Sequence, residues 1–329
     1  MFIVQRSSSL LFLCVIRYGL CLGIKLKKQF CDRKRQENFT TQPKYGYRLR
    51  IWLKTLRENG MENKNVIDTQ ENCITMFDDH VKLDGSNLIC IAARPGMGKT
   101  ALALHMALEY AEKCDRAVYI FSCEMSAAQI RSRMICYLAG VDTYSIREGT
   151  FTGKEAERIA EAEEKLQQLN LVIDDKSAPT AKYIEEQIKS VDDLGMIVID
   201  CLQLMESSKK FEKRLQEIEE ISRELKLLSQ KKKVPVIVAS QLWRRIEWRK
   251  DKHPNLDDLE KTCGFIEDNL DTVILLYREG YYDASYAADD WQEAEINIAK
   301  NRYGSQGILK YQWCGRCTKF SKVKTNSKI

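Results

Sequence analysis

The sequence contains little of what builds fibrous, low-complexity or zinc-rich proteins. Its 329 residues include only five prolines and 16 glycines, too few for a collagen-like or low-complexity chain. The three histidines, His80, His105 and His253, lie far along the chain from Cys314 and Cys317, which form a lone CxxC pair. Because a structural zinc site needs four ligands, a turn at the end of a strand is the preferred interpretation of this pair.

A clear membrane span and a signal peptide are also lacking. The apolar stretch at residues 10–24 is interrupted by Arg17 and is shorter than the roughly 20 residues that a spanning helix needs. No small-residue cleavage site follows it. Several of the twelve cysteines, such as Cys90, Cys123 and Cys201, lie in apolar runs, where a reduced thiol acts as a small hydrophobe. We therefore expect a cytoplasmic protein with no stable membrane association.

The formal net charge of +5 is unevenly distributed. The first 60 residues hold 13 of the 52 basic residues but only three of the 47 acidic ones, so the rest of the chain is slightly acidic. Any contact with nucleic acid must therefore be local. We expect a basic, partly apolar and poorly ordered leader at residues 1–65, followed by one globular domain at residues 66–329. A translation start at Met61 is an alternative explanation of the charge boundary.

From about residue 87, short apolar runs alternate with longer segments of helical periodicity. Such alternation predicts an α/β fold with a mostly parallel sheet flanked by helices. Beyond about residue 270 the helical segments stop, which indicates antiparallel strands added at the C-terminal edge. The predicted strands are residues 87–92, 117–121, 171–173, 196–199, 234–239, 271–276, 294–299 and 308–313. The predicted helices are residues 100–114, 126–139, 154–168, 181–191 and 211–230.

The strongest motif follows the first predicted strand and opens the first predicted helix. A phosphate-binding loop needs backbone N–H groups on a tight turn that leads into a helix, and two glycines permit that approach. Lys99 is expected to reach the β- and γ-phosphates of ATP, and the Thr100 hydroxyl to ligate Mg²⁺. The pattern usually begins with glycine, whereas Ala93 stands here. The candidate nucleotide-binding residues are Ala93, Arg94, Pro95, Gly96, Met97, Gly98, Lys99 and Thr100.

A second metal-binding group is expected where a buried strand ends in a carboxylate. Residues 196–199 are apolar and are followed by Asp200. Ligands of open parallel sheets lie at the carboxyl ends of the strands, so Asp200 is placed to hold Mg²⁺ through water or the Thr100 hydroxyl. The alternative is that Asp200 caps the following turn.

Three further strand ends carry polar residues. Glu124 follows a strand and is placed to act as the base for the attacking water, or else to cap the helix that starts near Ser126. Gln241 is placed to sense the γ-phosphate, or only to satisfy backbone groups. Lys300 and Arg302 end a late strand, either as a solvated hairpin or as cations offered to a neighbouring subunit.

Five ordered blocks of the sequence resemble the C-terminal motor domain of the bacterial replicative helicases of the DnaB type. The blocks begin at Ala92, Phe121, Ile199, Val238 and Ala299, and the resemblance spans roughly residues 80–315. It implies a RecA-like P-loop NTPase core, a hexameric ring, and ATP hydrolysis coupled to movement along single-stranded DNA. It also implies contacts with other replication proteins.

The same resemblance assigns roles to residues that the pattern alone leaves open. It implies that Glu124 is the catalytic base and Gln241 the γ-phosphate sensor. It further implies that Lys300 and Arg302 act in trans and complete the site of the next subunit. An arginine that acts in this way is worth roughly 10³–10⁵ in turnover in related phosphoryl-transfer systems.

The chain also departs from the family pattern. No helical N-terminal bundle is evident before the phosphate-binding loop, and the segment at residues 73–86 is short. The loop that faces DNA in the family is one residue longer here, at residues 259–265, with its basic position shifted to Lys261. Residues 202–210 and the aromatic, basic stretch 243–249, with Arg244 and Arg245, are the other candidate DNA contacts, or else flexible basic surface.

The sequence thus predicts the motor domain of an ATP-dependent DNA helicase that unwinds duplexes during replication. The alternative is a RecA-like ATP-binding module that is not a motor and that loads or regulates a helicase or recombinase.

Overall fold

The structure, a computed structural model, describes Phe77, Val81, Leu83 and residues 85–283 and 291–323. The chain divides at Thr69 and Gln70, and every described residue belongs to the second unit. The leader expected at residues 1–65 lies outside the described residues. Among the helices that are described, none combines the length and apolarity that crossing a bilayer requires.

One sheet organises the described residues, with strand order β3-β2-β4-β5-β1-β6-β7-β8-β9. The strands from β3 to β6 in this order pair in parallel, and β7, β8 and β9 are added antiparallel at the β6 edge. This arrangement confirms the predicted α/β class. The strands are β1 Leu88–Ala93, β2 Ala117–Ser122, β3 Leu171–Asp174, β4 Leu194–Asp200, β5 Val236–Gln241, β6 Thr272–Tyr277, β7 Gln292–Asn301, β8 Gly307–Cys314 and β9 Lys319–Lys322.

Helices cover both faces of the sheet. Short 3₁₀ helices add local turns at Leu202–Leu204, Arg244–Trp248, Ile266–Asn269 and Glu279–Tyr281. The α-helices are α1 Lys99–Cys114, α2 Ala127–Ala139, α3 Thr143–Glu148, α4 Gly153–Gln168, α5 Ala181–Gln187, α6 Arg214–Lys232 and α7 Leu256–Cys263.

Alternate residues of the central strands feed two separate cores. On one face Ile89 and Ile91 of β1 pack with α1 and with the late strands β7 to β9. On the other face Leu88 and Cys90 pack with α5, α6 and α7. Burial on both faces explains why β1 reads as a continuous apolar run rather than as an alternating one.

Most predicted elements are confirmed to within a few residues, but three expectations were wrong. The helix that begins at Ala181 ends at Gln187, not at residue 191. Strand β9 and helix α3 were not predicted, because their four and six residues are too short to show a period. The third error concerns residues 259–265, which were expected to form a loop. Asn255 and Asp258 form a capping box that starts α7, and Leu259 and Cys263 are fully buried, so most of this segment is helix.

The topology gathers the candidate site residues. Strands β4, β5 and β1 are neighbours in the sheet and run in the same direction. Their carboxyl ends carry Asp200, Gln241 and the phosphate-binding loop after Ala93, so these groups meet at one edge.

Candidate nucleotide-binding site

The loop between β1 and α1 has the geometry of a phosphate-binding loop. Gly96 has φ 78° and Gly98 has φ 103°, in the left-handed region that favours glycine. Gly98 is the N-cap of α1 and makes no capping side-chain hydrogen bond, and the first turn of α1 has no acidic residue. The N–H groups and the positive end of the helix dipole therefore face the loop, as anion binding requires.

Residues from the late part of the chain pack tightly against this loop. A Cβ on Gly96 would lie 2.8 Å from the Tyr281 ring, and one on Gly98 would lie 3.0 Å from Phe320 and 3.3 Å from Trp313. Arg278 donates to the Gly96 carbonyl at 2.8 Å, and burial lowers the pKa of Arg278 to about 10. The loop is thus held from both sides, and larger residues at the two glycines would displace it.

Lys99, Thr100 and Asp200 form the polar centre of the site. The Thr100 hydroxyl donates to Asp200 Oδ2 at 2.6 Å, and Lys99 Nζ donates to the Arg94 carbonyl at 3.4 Å. Burial lowers the pKa of Lys99, opposed by the Asp200 carboxylate. Burial raises the pKa of Asp200, opposed by the Thr100 hydrogen bond and the Lys99 charge. The turn after Asp200 starts at Cys201 without a side-chain cap, so Asp200 is not a helix cap.

The donor set suits Mg²⁺. The hydroxyl of Thr100 and the carboxylate of Asp200 are hard oxygen ligands on adjacent elements, and Mg²⁺ prefers few protein oxygens together with phosphate oxygens and water. Both side chains lie where the first turn of α1 meets the end of β4.

Glu124 lies beside this centre. It follows the end of β2, whose last residue, Ser122, pairs with Asp200. Its exposed carboxylate is close enough to raise the pKa of Lys99 and that of Asp200. Ser126 caps α2 through a capping box with Gln129, so Glu124 is not needed as a cap.

Gln241 ends β5 opposite Ala93, next to the start of the phosphate-binding loop. Its side chain is exposed, while its backbone is held by Gln203. Gln203 Oε1 accepts from Gln241 N at 3.1 Å, and Gln203 Nε2 donates to the Gln241 carbonyl at 3.0 Å and to Ser240 Oγ at 2.8 Å. Sequence reasoning missed Gln203, although it lies three residues after Asp200 in a block that carried the family resemblance.

Lys300 and Arg302 lie at the opposite edge of the sheet. Lys300 pairs with Val273 near the start of β6, and that start lies beside Ile89 rather than Ala93 of β1. The distance from Ile89 to Ala93 along the strand is roughly 13 Å. The structure therefore does not bring these two cations together with the phosphate-binding loop of the same chain.

Both cations are held by acceptors of their own chain. Lys300 Nζ donates to the Glu267 carbonyl at 2.7 Å. Arg302 donates to the Asp268 carbonyl at 2.7 Å and to Asp271 Oδ1 at 3.3 Å. Asp271 is fully buried, so the Arg302 guanidinium is fixed at one end and half-exposed at the other.

The stretch 243–249 is ordered around a 3₁₀ helix and exposes aromatic and basic groups. The Arg245 guanidinium lies 4.6 Å from the centre of the Trp243 ring and 5.7 Å from that of Trp248. Trp248 is 75% exposed. The other candidate contact, residues 202–210, begins with a buried Leu202 and an exposed Leu204.

Arg94 uses its side chain away from the loop. Arg94 Nη1 donates to the Leu242 carbonyl at 2.6 Å, and Arg94 Nε donates to Glu247 Oε1 at 2.8 Å. The Arg94 guanidinium therefore links the phosphate-binding loop to the stretch 243–249. No sequence signal could have found a pair that lies 153 residues apart.

The CxxC pair lies where a strand-end turn was predicted. Cys314 ends β8, and Cys317 lies in the turn to β9, with the two sulfurs 3.0 Å apart. Within residues 85–283 and 291–323, no cluster of three or more His, Cys, Asp or Glu side chains has the arrangement of a metal site.

Comparisons with known proteins identify the family of the chain. Residues 74–322 match the family model of the DnaB-like helicase C-terminal domain. The replicative DNA helicase DnaB of Geobacillus stearothermophilus is 39% identical over 239 residues, which are 71% of this chain and 52% of that protein. The replicative DNA helicase DnaC of Bacillus subtilis is 38% identical over the same shares of the two chains. The chain thus spans about half the length of these curated relatives.

Solved structures give the same result. One, described as an ATPase domain, superposes with a TM-score of 0.71 at 29% identity, covering 84% of this chain and 99% of that chain. A DnaB-like replicative helicase, solved in a study of its interactions with primase, gives the same TM-score and identity over 83% of this chain and 68% of its own. With its RecA-like sheet and a family match over most of its length, the chain belongs to the family of DnaB-like helicase C-terminal domains.

Proposed function

We propose that this chain is the ATP-driven motor domain of a ring-forming DNA helicase that acts in replication in the cytoplasm. ATP with Mg²⁺ is its nucleotide, and single-stranded DNA is its track. The observation that carries the proposal is the 2.6 Å hydrogen bond from the Thr100 hydroxyl to the Asp200 carboxylate. It lies beside Lys99, at the point where the phosphate-binding loop enters α1. Other replication proteins, such as a primase, are the partners expected of a protein of this family.

Each group at the carboxyl edge has a role in ATP hydrolysis. The loop N–H groups and Lys99 bind the β- and γ-phosphates, and Thr100 and Asp200 hold the metal ion. When bound, Mg²⁺ supplies positive charge to the phosphate oxygens. Glu124 orients the attacking water and accepts its proton. Gln241 contacts the γ-phosphate, and Gln203 keeps the backbone of Gln241 in register with the end of β4.

The cations at the amino edge serve a second copy of the chain. The start of β6, beside which Lys300 and Arg302 lie, is roughly 13 Å along the strands from the end of β1 that leads into the phosphate-binding loop of the same chain. A ring places one edge of each subunit against the other edge of its neighbour, as a repeated heterologous contact requires. Arg302 then stabilises the charge that develops on the γ-phosphate of the neighbour, so an isolated copy is nearly inert.

Single-stranded DNA is bound by the stretch 243–249. Trp243 and Trp248 supply faces on which bases stack, and Arg245 between them attracts the phosphate backbone. Such a local positive surface is compatible with an otherwise acidic domain, since only the channel of a ring meets DNA.

Steady-state ATP hydrolysis tests the proposal. Turnover of the full chain is measured with and without single-stranded DNA, beside Lys99→Ala and beside Lys113→Ala at the far end of the same helix. The proposal expects turnover that rises several-fold with DNA, vanishes in Lys99→Ala and persists in Lys113→Ala.

Turnover that ignores DNA would contradict the motor function. It would favour the alternative of an ATP-binding module that loads or regulates another helicase or recombinase. Absence of turnover under all conditions, with native mass spectrometry showing only monomers, would contradict both the motor and the ring.

A further inference from the structure

We propose that the ion pair between Arg94 and Glu247 couples nucleotide binding at the phosphate-binding loop to single-stranded DNA binding at the stretch 243–249. This inference rests on the proposed function, because it assigns the regulation of the same site. Arg94 is a positioning residue in this account, since its side chain is held by the Leu242 carbonyl and by Glu247.

The pair joins a buried arginine to a half-buried glutamate and is specific in geometry. Arg94 is only 9% exposed. Its guanidinium uses two different N–H groups, one on the Leu242 carbonyl at 2.6 Å and one on Glu247 Oε1 at 2.8 Å. Because the arginine is shielded from solvent, this charge-assisted hydrogen bond is stronger and less sensitive to salt than a pair of two exposed side chains. Any displacement of the loop backbone at Arg94 therefore reaches both ends of the segment that connects β5 to Glu247.

A second chain of contacts joins Glu247 to the other side of the loop. The Tyr282 hydroxyl donates to Glu247 Oε1 at 3.4 Å, and burial raises the pKa of Tyr282 to about 12, which keeps it a donor. The Tyr282 ring lies edge-on against that of Tyr281, with centres 5.2 Å apart. Tyr281 in turn lies against Gly96. Glu247 thus responds to both flanks of the phosphate-binding loop.

On the DNA side, Glu247 lies within the short helix that carries the stacking groups. Arg245 precedes it by two residues and Trp248 follows it directly. A 3₁₀ helix of five residues has few hydrogen bonds of its own, so an external anchor decides how well it is ordered. Because the anchor is Arg94, ordering of the loop also orders the groups that stack on bases.

Lys99 gives the nucleotide a direct effect on the anchor. Lys99 Nζ donates to the backbone carbonyl of Arg94 at 3.4 Å, and the same ammonium is the group that binds phosphate. When Lys99 turns from the Arg94 carbonyl to a phosphate, the Arg94 backbone loses this hydrogen bond. The nucleotide therefore changes how firmly Arg94, and through it Glu247, is held. Phosphate binding orders the loop, and a segment that is already ordered loses less entropy when it binds DNA, so nucleotide tightens DNA binding.

The coupling is reciprocal and measurable as a ratio. The affinity of the full chain for a fluorescent single-stranded oligonucleotide is measured by anisotropy with and without Mg²⁺ and a non-hydrolysable ATP analogue. Linkage of this kind typically changes affinity by roughly 5–150-fold, and we expect a ratio of roughly tenfold for the native chain. The ratio cancels any effect that a substitution has on DNA affinity in both states.

Three variants test the pair. Glu247→Gln keeps the shape of the side chain and removes its charge, and Arg94→Met removes both donors. We expect each to bring the ratio close to one, and the double variant to have the same ratio as either single variant, because all three remove one link. Glu293→Gln removes an exposed pair with Lys310 at 3.2 Å and serves as the control with a native ratio.

The outcomes separate this inference from the proposed function. A native chain that binds DNA but shows no effect of nucleotide, or variants that keep the native ratio, would overturn the coupling while leaving the motor site intact. A native chain that fails to bind single-stranded DNA in either state would overturn the proposed function and the coupling together.

Discussion

The carboxyl ends and the amino ends of the parallel strands, here the carboxyl edge and the amino edge, stabilise their charged groups in opposite ways. At the carboxyl edge, half-buried Lys99 lies near buried Asp200, and burial lowers the pKa of Lys99 and raises that of Asp200, so it disfavours both charges. At the amino edge, buried Asp271 accepts from Leu88 N at 2.8 Å, from Lys226 at 2.6 Å and from Arg302 at 3.3 Å. Desolvation therefore disfavours the charges of Lys99 and Asp200, whereas three donors stabilise the charge of Asp271.

This difference bears on the proposed roles of the two edges, nucleotide binding at the carboxyl edge and presentation of Arg302 at the amino edge. Charged groups whose pKa values are shifted by desolvation are typical of functional sites, where a bound substrate supplies the interactions that solvent no longer provides. A carboxylate with three donors instead fixes the groups that contact it, and here one of those is Arg302. The contrast supports the proposal that the carboxyl edge binds nucleotide, and the contacts of Asp271 hold Arg302 in one place.

The largest expected effect comes from Arg302→Ala. If the arginine completes the site of a neighbour, ATP turnover of the assembled protein falls by roughly 10³–10⁵, while nucleotide affinity changes little. Turnover and nucleotide affinity are measured at the same protein concentration. Turnover equal to that of the native chain would remove the distinction between the two edges.

Asp271→Ala is expected to act on stability. Loss of a fully buried carboxylate leaves the largely buried Lys226 with only the Ser86 carbonyl as acceptor, and removal of one partner from such a pair costs about 3–5 kcal/mol. Chemical denaturation measures the free energy of unfolding. The matched control is Asp193→Ala, which removes a 64% exposed carboxylate paired with Arg116 at 3.0 Å and costs about 1 kcal/mol or less. Equal effects of the two changes would contradict the structural role of Asp271.

Asp200→Asn is expected to separate activity from stability. The amide cannot supply a charge to Mg²⁺, so turnover falls by roughly 10²–10³, as for loss of one preorganised electrostatic group. Because burial already disfavours the Asp200 carboxylate, the free energy of unfolding does not fall with it. A loss of stability as large as that of Asp271→Ala would show that both edges serve the fold alone.

The smallest expected effect comes from acid acting on a histidine that lies at neither edge. Burial lowers the pKa of His105 from 6.5 to about 4, and its buried Nδ1 has no hydrogen-bond partner among the described residues. The unfolded chain binds a proton below its ordinary pKa while the folded chain does not, so stability is lost as the pH falls through this window. The loss is about 1.5 kcal/mol between pH values of about 6.5 and 5.

Unfolding curves of the native chain and of His105→Phe over this range measure the contribution. His105 packs on Tyr137 with ring centres 4.6 Å apart, so phenylalanine keeps the ring contact and removes the proton. An identical pH dependence in both chains would assign the effect to other groups.

The sequence was sufficient to predict those site residues that end buried strands. Asp200 and Gln241 each follow an apolar run, and the loop after Ala93 lies between a strand and a helix, so their shared edge followed from the parallel sheet. The family resemblance, rather than the pattern, assigned Glu124 and Arg302. The resemblance also assigned the roles of Gln241 and Lys300, and all of these roles, like that of Asp200 in holding Mg²⁺, remain predictions.

Other features depend on contacts between distant parts of the chain. The pairs of Arg94 with Glu247 and of Arg278 with Gly96 join residues 153 and 182 positions apart, and neither residue type nor spacing indicates them. The segment after Leu259 was wrongly expected to be a loop, because its fully buried Cys263 has no helical period to follow over eight residues. Packing in three dimensions decides such short elements.

Mixing two inactive variants tests the central claim most directly. Lys99→Ala lacks a working site but keeps its arginine, and Arg302→Ala keeps its site but lacks the arginine. If the amino edge of one copy completes the carboxyl edge of the next, a mixture of the two hydrolyses ATP although each alone does not. A mixture as inactive as its components, or an Arg302→Ala chain that is fully active alone, would contradict the account.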